Sequence, residues 1–209
     1  VNDASGRGRR KGLIERNISR GFESTGISNG IEVRHLTSRH FEICLVGKDG
    51  RHHNISDVGF GCSQVLPVLV AGLNAIESDG RNKLLAIQEP EIHLHPNAQA
   101  SLGDFFVDLA RQRVQLFIET HSDNLILRIA RHVAMGHIAP SDVKIFWVDQ
   151  SESGSHVIPL QPDADGVFLQ DLPGGFFPQR AIETRELARA SLLKKGEPST
   201  EQLEFRYLD

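Results

Sequence analysis

Two apolar runs end in groups suited to phosphoryl-transfer chemistry. KLLAIQ, Lys83 to Gln88, is followed directly by Glu89, and VQLFIET, Val114 to Thr120, by His121. Each run reads as a buried strand. A carboxylate fixed at a strand end can orient a water for attack on a phosphoryl group. A neutral imidazole at the end of a neighbouring parallel strand can hydrogen-bond a γ-phosphate or that water. Taken singly, Glu89 also reads as a solvent-facing strand end, and His121 as a packed ring bonded to backbone. A third segment, DVGFGCSQVLP (Asp57 to Pro67), sets Gly59 and Gly61 ahead of a helix expected to open near Ser63. Glycine permits close backbone approach, and N–H groups at a helix N-terminus bind anions. By itself this segment is equally a glycine-rich turn before a core helix.

Elements that place these groups follow from the periodicities. IEVRHL, FEICLV and the residues after GKDG predict antiparallel strands near 31–36, 40–46 and 51–55. Ser63 to Ile76 is too long for a typical strand and predicts a helix, with Ser63 as its cap, Pro67 near its start and SDGRN (Ser78 to Asn82) as its end. Pro96 to Arg111 predicts a helix whose apolar face is Leu102, Phe105, Phe106 and Leu109. Further elements are a helix over Asn124 to Val133, a strand over Val143 to Gln150 with HVIPLQ pairing back to it, and a polar helix near 181–195. Strands alternating with helices give an α/β class: a largely parallel sheet flanked by helices, with an antiparallel N-terminal flank. The expected division is a flexible or partly helical basic arm or linker over 1–30, a main body over 31–172 and a helical appendage over 173–209.

Composition narrows the partners. Lys plus Arg is 23 against 27 Asp plus Glu, a net charge of −4, which argues against coating nucleic acid by bulk charge. The arm's Arg7, Arg9, Arg10 and Lys11 are the local exception, able to meet phosphates. The two cysteines, Cys44 and Cys62, lie in no CxxC or Cys/His cluster, which fits a reducing, cytoplasmic setting without disulfides or structural zinc. The longest uncharged apolar run, Val65 to Leu73, falls short of the roughly 20 residues that span a bilayer, so no membrane partner is expected.

The order of the three segments resembles the C-terminal half of an ATP-binding-cassette type ATPase head. The similarity is to the bacterial SMC/RecF-like and OLD-like ATPases within the AAA-family grouping, a P-loop NTPase fold. It is carried by Asp57 to Ser122, and GVFLQDLPGGFFPQR is similar to the end of one subgroup. The resemblance implies that Gly59, Phe60, Gly61, Cys62, Ser63 and Gln64 are the signature motif, contacting the γ-phosphate of nucleotide held by a second head. It implies that QEP closes a Walker B strand, with Glu89 the catalytic base and Gln88 a weak magnesium ligand through its carbonyl. His95 matches the dimer-facing D-loop and His121 the switch histidine. The implied cofactors are ATP and Mg2+, and the implied assembly is a homodimer sandwiching ATP between heads.

This sequence departs from the pattern in three ways. Gln88 stands where an acid is usual. The signature is degenerate, so its register is open by about a residue. No GxxxxGK[ST] occurs anywhere in the 209 residues. The expectation is that Val1 lies mid-protein and a P-loop lobe precedes it, or that a second chain supplies one. The function expected is ATP hydrolysis when so completed, in DNA repair or phage defence, with DNA or a nuclease or other effector as partner. A non-catalytic module docking a nuclease or effector is the alternative. A metal hydrolase built on Glu89, His93, His95 and His121 is disfavoured, because Pro90 and Pro96 bracket the histidines and make a loop of them.

Overall fold

The computed structural model describes residues 15–23, 25–37, 39–77, 83–168 and 178–194. The chain divides into two units, 1–169 and 170–209. The first described element of the first unit is helix α1 (15–23). Ile18 and Phe22, one turn apart, are buried in the core, and Gly21 abuts the Leu69 side chain. This corrects the expected arm for its described part: two buried apolar residues at helical spacing make 15–23 a core element. Arg7, Arg9, Arg10 and Lys11 lie outside the described residues.

Strands β1 (Ile31–His35), β2 (Phe41–Val46) and β3 (His52–Asn54) form an antiparallel sheet in that order. Gly47 to Gly50 make the β2–β3 turn, closed by Gly50 N–H donating to the Gly47 carbonyl at 3.0 Å, with Gly50 at φ 75, a conformation open to a residue without Cβ. Helix α2 (Phe60–Glu77) follows. It starts three residues before the expected Ser63, so Ser63 is not its cap. Pro67 sits in its interior rather than near its start, exposed, and removes one hydrogen bond to the carbonyl four residues back. Among the described residues α2 is the one helix long and apolar enough, by length and composition, to cross a membrane. Its Val65, Val68, Leu69 and Gly72 are buried in the core. SDGRN falls outside the described residues.

The next segment is a βαβ unit: β4 (Lys83–Gln88), α3 (Pro96–Arg111) and β5 (Val114–Glu119). β4 and β5 pair in parallel, Leu84 beside Gln115 through Gln88 beside Glu119, as a helical crossover requires. α2 packs on β4 and α3 on β5. Leu85, Ile87, Leu116 and Ile118 face these helices and join the core. The other face carries Leu84, Ala86, Gln88, Gln115, Phe117 and Glu119, all exposed. Among the described residues the two strands are therefore covered on one side only, which corrects the expectation of fully buried strands. The apolar run misled because half of it serves a face on which Leu84 is 59% and Phe117 57% exposed.

Helix α4 (Asp123–Ala134) packs on α3, with Gly103 against Arg128 where the two cross. A short 3-10 turn (Pro140–Asp142) leads to the hairpin β6 (Ile145–Ser151) and β7 (Gly154–Leu160), whose Phe146, Val148 and Val157 are exposed. The chain then returns to α4, where Gly166 lies against the Ala130 carbonyl. In the second unit, α5 (Pro178–Lys194) is a helix whose residues 182–190 are all exposed.

Candidate functional site

The parallel register brings the two strand-end groups together. Glu89 Oε1 lies 3.4 Å from His121 Nε2, with the Glu89 side chain 37% and the His121 side chain 79% exposed. The carboxyl ends of parallel strands are where open α/β sheets bind ligands. Exposed ion pairs stabilise a fold little, so packing gives no reason for this juxtaposition.

The backbone beneath both groups is tightly fixed. Glu89 N–H donates to the Glu119 carbonyl at 2.8 Å, and Glu89 itself has φ 44, rare for a residue with a Cβ. Thr120 Oγ1 donates to Glu91 Oε1 at 2.6 Å, and His121 N–H donates to the same oxygen at 2.8 Å. Ser122 caps α4, accepting from Leu125 N–H at 3.2 Å. Its hydroxyl donates to Gln99 Oε1 at 2.8 Å, and the Asn124 amide donates to the same oxygen at 3.2 Å. Thr120 and Ser122 thus spend their polar groups on structure, while the His121 ring stands out into solvent.

Glu91 was not foreseen. It is 6% exposed, and its Oε2 has no hydrogen-bond partner among the described residues. A Glu beside a proline in a turn reads as a solvated carboxylate, and nothing in the sequence marks it as buried.

The glycine-rich segment forms one wall of an open cleft of about 550 Å³. Gly59 precedes α2, Phe60 to Ser63 form its first turn, and Gln64 follows. The Ser63 hydroxyl points back to the Ile55 carbonyl at 3.5 Å. The opposite wall is His93 to His95 with Asn97 and Ala98 at the start of α3. Phe60 meets the His93 ring edge-on, with centroids 5.1 Å apart. A Cβ on Gly61 would stand 2.6 Å from the His93 carbonyl oxygen, so only glycine allows this approach. Thr25, Gly26 and Ile27 complete the lining. Burial pushes the Cys62 thiol up from its ordinary value, which keeps it protonated. His95 is the N-cap of α3, accepting from Asn97 N–H at 3.4 Å.

Gln88 and Glu119 are register neighbours on the open face. An amide carbonyl and a carboxylate are hard oxygen donors of the kind magnesium takes, and that ion binds through one or two carboxylates plus waters and substrate phosphates. Among the described residues no three His, Cys, Asp or Glu side chains gather into a self-sufficient metal site. The histidines of the hydrolase alternative are separated by role: His93 lies in a turn at φ 62 against Phe60, and His95 caps a helix.

A family profile described as "AAA ATPase domain" matches residues 8–126. The Old nuclease of Escherichia phage P2 is 40% identical over 58 residues, 28% of this chain and 10% of that protein. Among solved structures, one from work on ATP-driven dimerization and DNA-stimulated activation of SMC ATPases aligns at TM-score 0.51 and 16% identity. It covers 87% of this chain and 94% of its own. The Smc head domain of Pyrococcus furiosus, with an extended coiled coil and bound to the C-terminal domain of ScpA, aligns at TM-score 0.55 and 14% identity, over 87% of this chain and 39% of that one. That of Pyrococcus yayanosii gives 0.53 and 14%, over 85% and 30%. At such identities the likeness is one of fold, the α/β P-loop NTPase architecture of SMC ATPase heads. The chain spans a tenth of the Old nuclease and under two-fifths of the Pyrococcus heads.

Proposed function

Because the chain belongs to the AAA ATPase domain family, whose profile covers more than half of it, we propose that it forms the signature, Walker B and switch portion of an SMC- and OLD-like head that hydrolyses ATP. The observation that carries this is the Glu89–His121 pair, 3.4 Å apart and exposed on a fixed backbone. Glu89 orients or deprotonates the attacking water, and His121 hydrogen-bonds the γ-phosphate. The start of α2, from Gly59 to Gln64, offers N–H groups and the Ser63 hydroxyl to nucleotide on a second head, with His95 on the facing wall of the cleft. Magnesium supplies charge neutralisation of the phosphates. Gln88 and Glu119 hold it, the neighbouring carboxylate providing the charge that Gln88 lacks.

The P-loop comes from a further lobe, in the same polypeptide or a second chain. Support for it is physical: no GxxxxGK[ST] occurs here, and parallel strands are ordinarily covered on both faces. The open face of Leu84, Ala86 and Phe117 is where that lobe packs. The ATP cycle serves DNA repair or phage defence through a homodimer of heads. A second reading, a non-catalytic module docking a nuclease or effector, draws on the same open face and on the exposed Phe146, Val148 and Val157.

The test is ATP hydrolysis by the full natural polypeptide beside Glu89→Gln. The reading expects turnover to fall by about 100-fold or more in the variant, the usual scale for a lost general base. Turnover equal in both removes Glu89 from the mechanism. Neither binding nor turnover in the parent leaves the docking module.

A further inference from the structure

Glu91 sits in the turn between β4 and α3, yet its carboxylate reaches across to the end of β5. Oε1 takes two donors, Thr120 Oγ1 at 2.6 Å and His121 N–H at 2.8 Å. The residue is 6% exposed, and Oε2 is buried without a partner among the described residues. A buried carboxylate oxygen left unpaired is costly. The same turn carries His93, whose ring meets Phe60 and whose carbonyl abuts Gly61. One short turn therefore touches the start of α2 on one side and the His121 backbone on the other.

We propose that Glu91 is a positioning residue that sets the His121 imidazole against Glu89 and links that pair to the cleft at the start of α2. Its Oε1 holds the Thr120 side-chain hydroxyl and the N–H of the Thr120–His121 peptide. A shift of the 90–93 turn, when the cleft is filled, moves this oxygen and the His121 ring with it. Glu91 touches no reacting atom and acts through His121. The kinetic part of this inference rests on the ATPase reading, and the structural part does not.

The experiment compares Glu91→Ala and Glu91→Gln, each with and without His121→Ala. In the full natural polypeptide, Glu91→Ala is expected to lower kcat by about 10- to 100-fold, the scale of a misplaced catalytic group, with KM for ATP within about twofold of the parent, as a loss confined to the chemical step requires. Glu91→Gln keeps a carbonyl acceptor and is expected to restore most of kcat. In the His121→Ala background, Glu91→Ala is expected to cost little more, because its effect runs through the missing ring. Equal losses with and without His121 overturn the proposal. If the parent shows no turnover, the ATPase reading fails separately, and the ring itself decides. The His121 imidazole NMR signals of the 209-residue chain should move in Glu91→Ala and stay in place in Glu91→Gln. Signals unmoved in both variants, with each folded by circular dichroism, overturn it.

Discussion

Replacing Gly61 by alanine drives a methyl into the backbone of the facing turn. The added Cβ would lie 2.6 Å from the His93 carbonyl oxygen, 3.0 Å from Leu94 Cδ2 and 3.2 Å from the His93 carbonyl carbon. Carbon–oxygen contacts of this kind settle at roughly 3.3–3.6 Å, so the turn or the helix must retreat by about 0.7 Å. Neither can do so freely. His93 is held at φ 62, Leu94 is buried, and Leu94 N–H donates to the Glu91 carbonyl. Overpacking against a fixed backbone costs about 1–3 kcal/mol. Alanine's better helix propensity returns up to about 1 kcal/mol. The expected net loss is about 1–2 kcal/mol, a fall in urea midpoint of roughly 0.5–1 M. Gly59→Ala is the control, since a Cβ there meets nothing within 4 Å. Both variants would be unfolded in urea and followed by far-ultraviolet circular dichroism. Coincident midpoints would refute the wedge between α2 and the 90–95 turn. With it would go the contact path from the cleft to Glu91.

Three further outcomes are expected. Glu119→Gln in the full natural polypeptide should raise the magnesium concentration needed for half-maximal nucleotide binding, by about tenfold for one lost charge-assisted contact; an unchanged magnesium dependence removes Glu119 from the metal. Asp104→Ala strips the acceptor from both Arg128 and His132, which reach it from α4, and should destabilise the fold by about 1–3 kcal/mol in denaturant titration, with Asp104→Asn intermediate. Because burial raises the Cys62 thiol, its alkylation by iodoacetamide should reach half-maximal rate above the ordinary thiol value of about 8.5. The linkage runs the same way. Below that value Cys62 is neutral whether folded or unfolded, and stability is lost as pH rises from there toward the folded value. A labelling midpoint below the ordinary thiol value would contradict the burial.

The sequence made the βαβ unit legible. Its apolar runs and Pro96 at the first turn of α3 use local signals that tertiary packing left intact. The start of α2 was less legible because Pro67 is a standard early-helix residue, yet here it occupies an exposed interior position. α1 was hidden by its neighbours: Ile18 and Phe22 follow GRGRRKG, whose composition suggests a linker. At the site, Glu89 and His121 could be paired because parallel strands align their ends. Glu91 could not, because a carboxylate's burial depends on a segment 29 residues away. His95 did not read as a cap even with a helix expected from Pro96, because histidine is not among the residues favoured at that position; its ring accepts from Asn97 N–H.

Glu89 also marks a standing conflict between durability and chemistry. At φ 44 a residue with a Cβ is strained by about 1–2 kcal/mol relative to glycine. Selection for a sturdier fold alone would install glycine there, and Glu89→Gly should melt higher than the parent. A library screened only for heat resistance would therefore drift toward losing the carboxylate. Recovery of glycine at this position would report, without any nucleotide in the assay, that the side chain is kept for something other than folding.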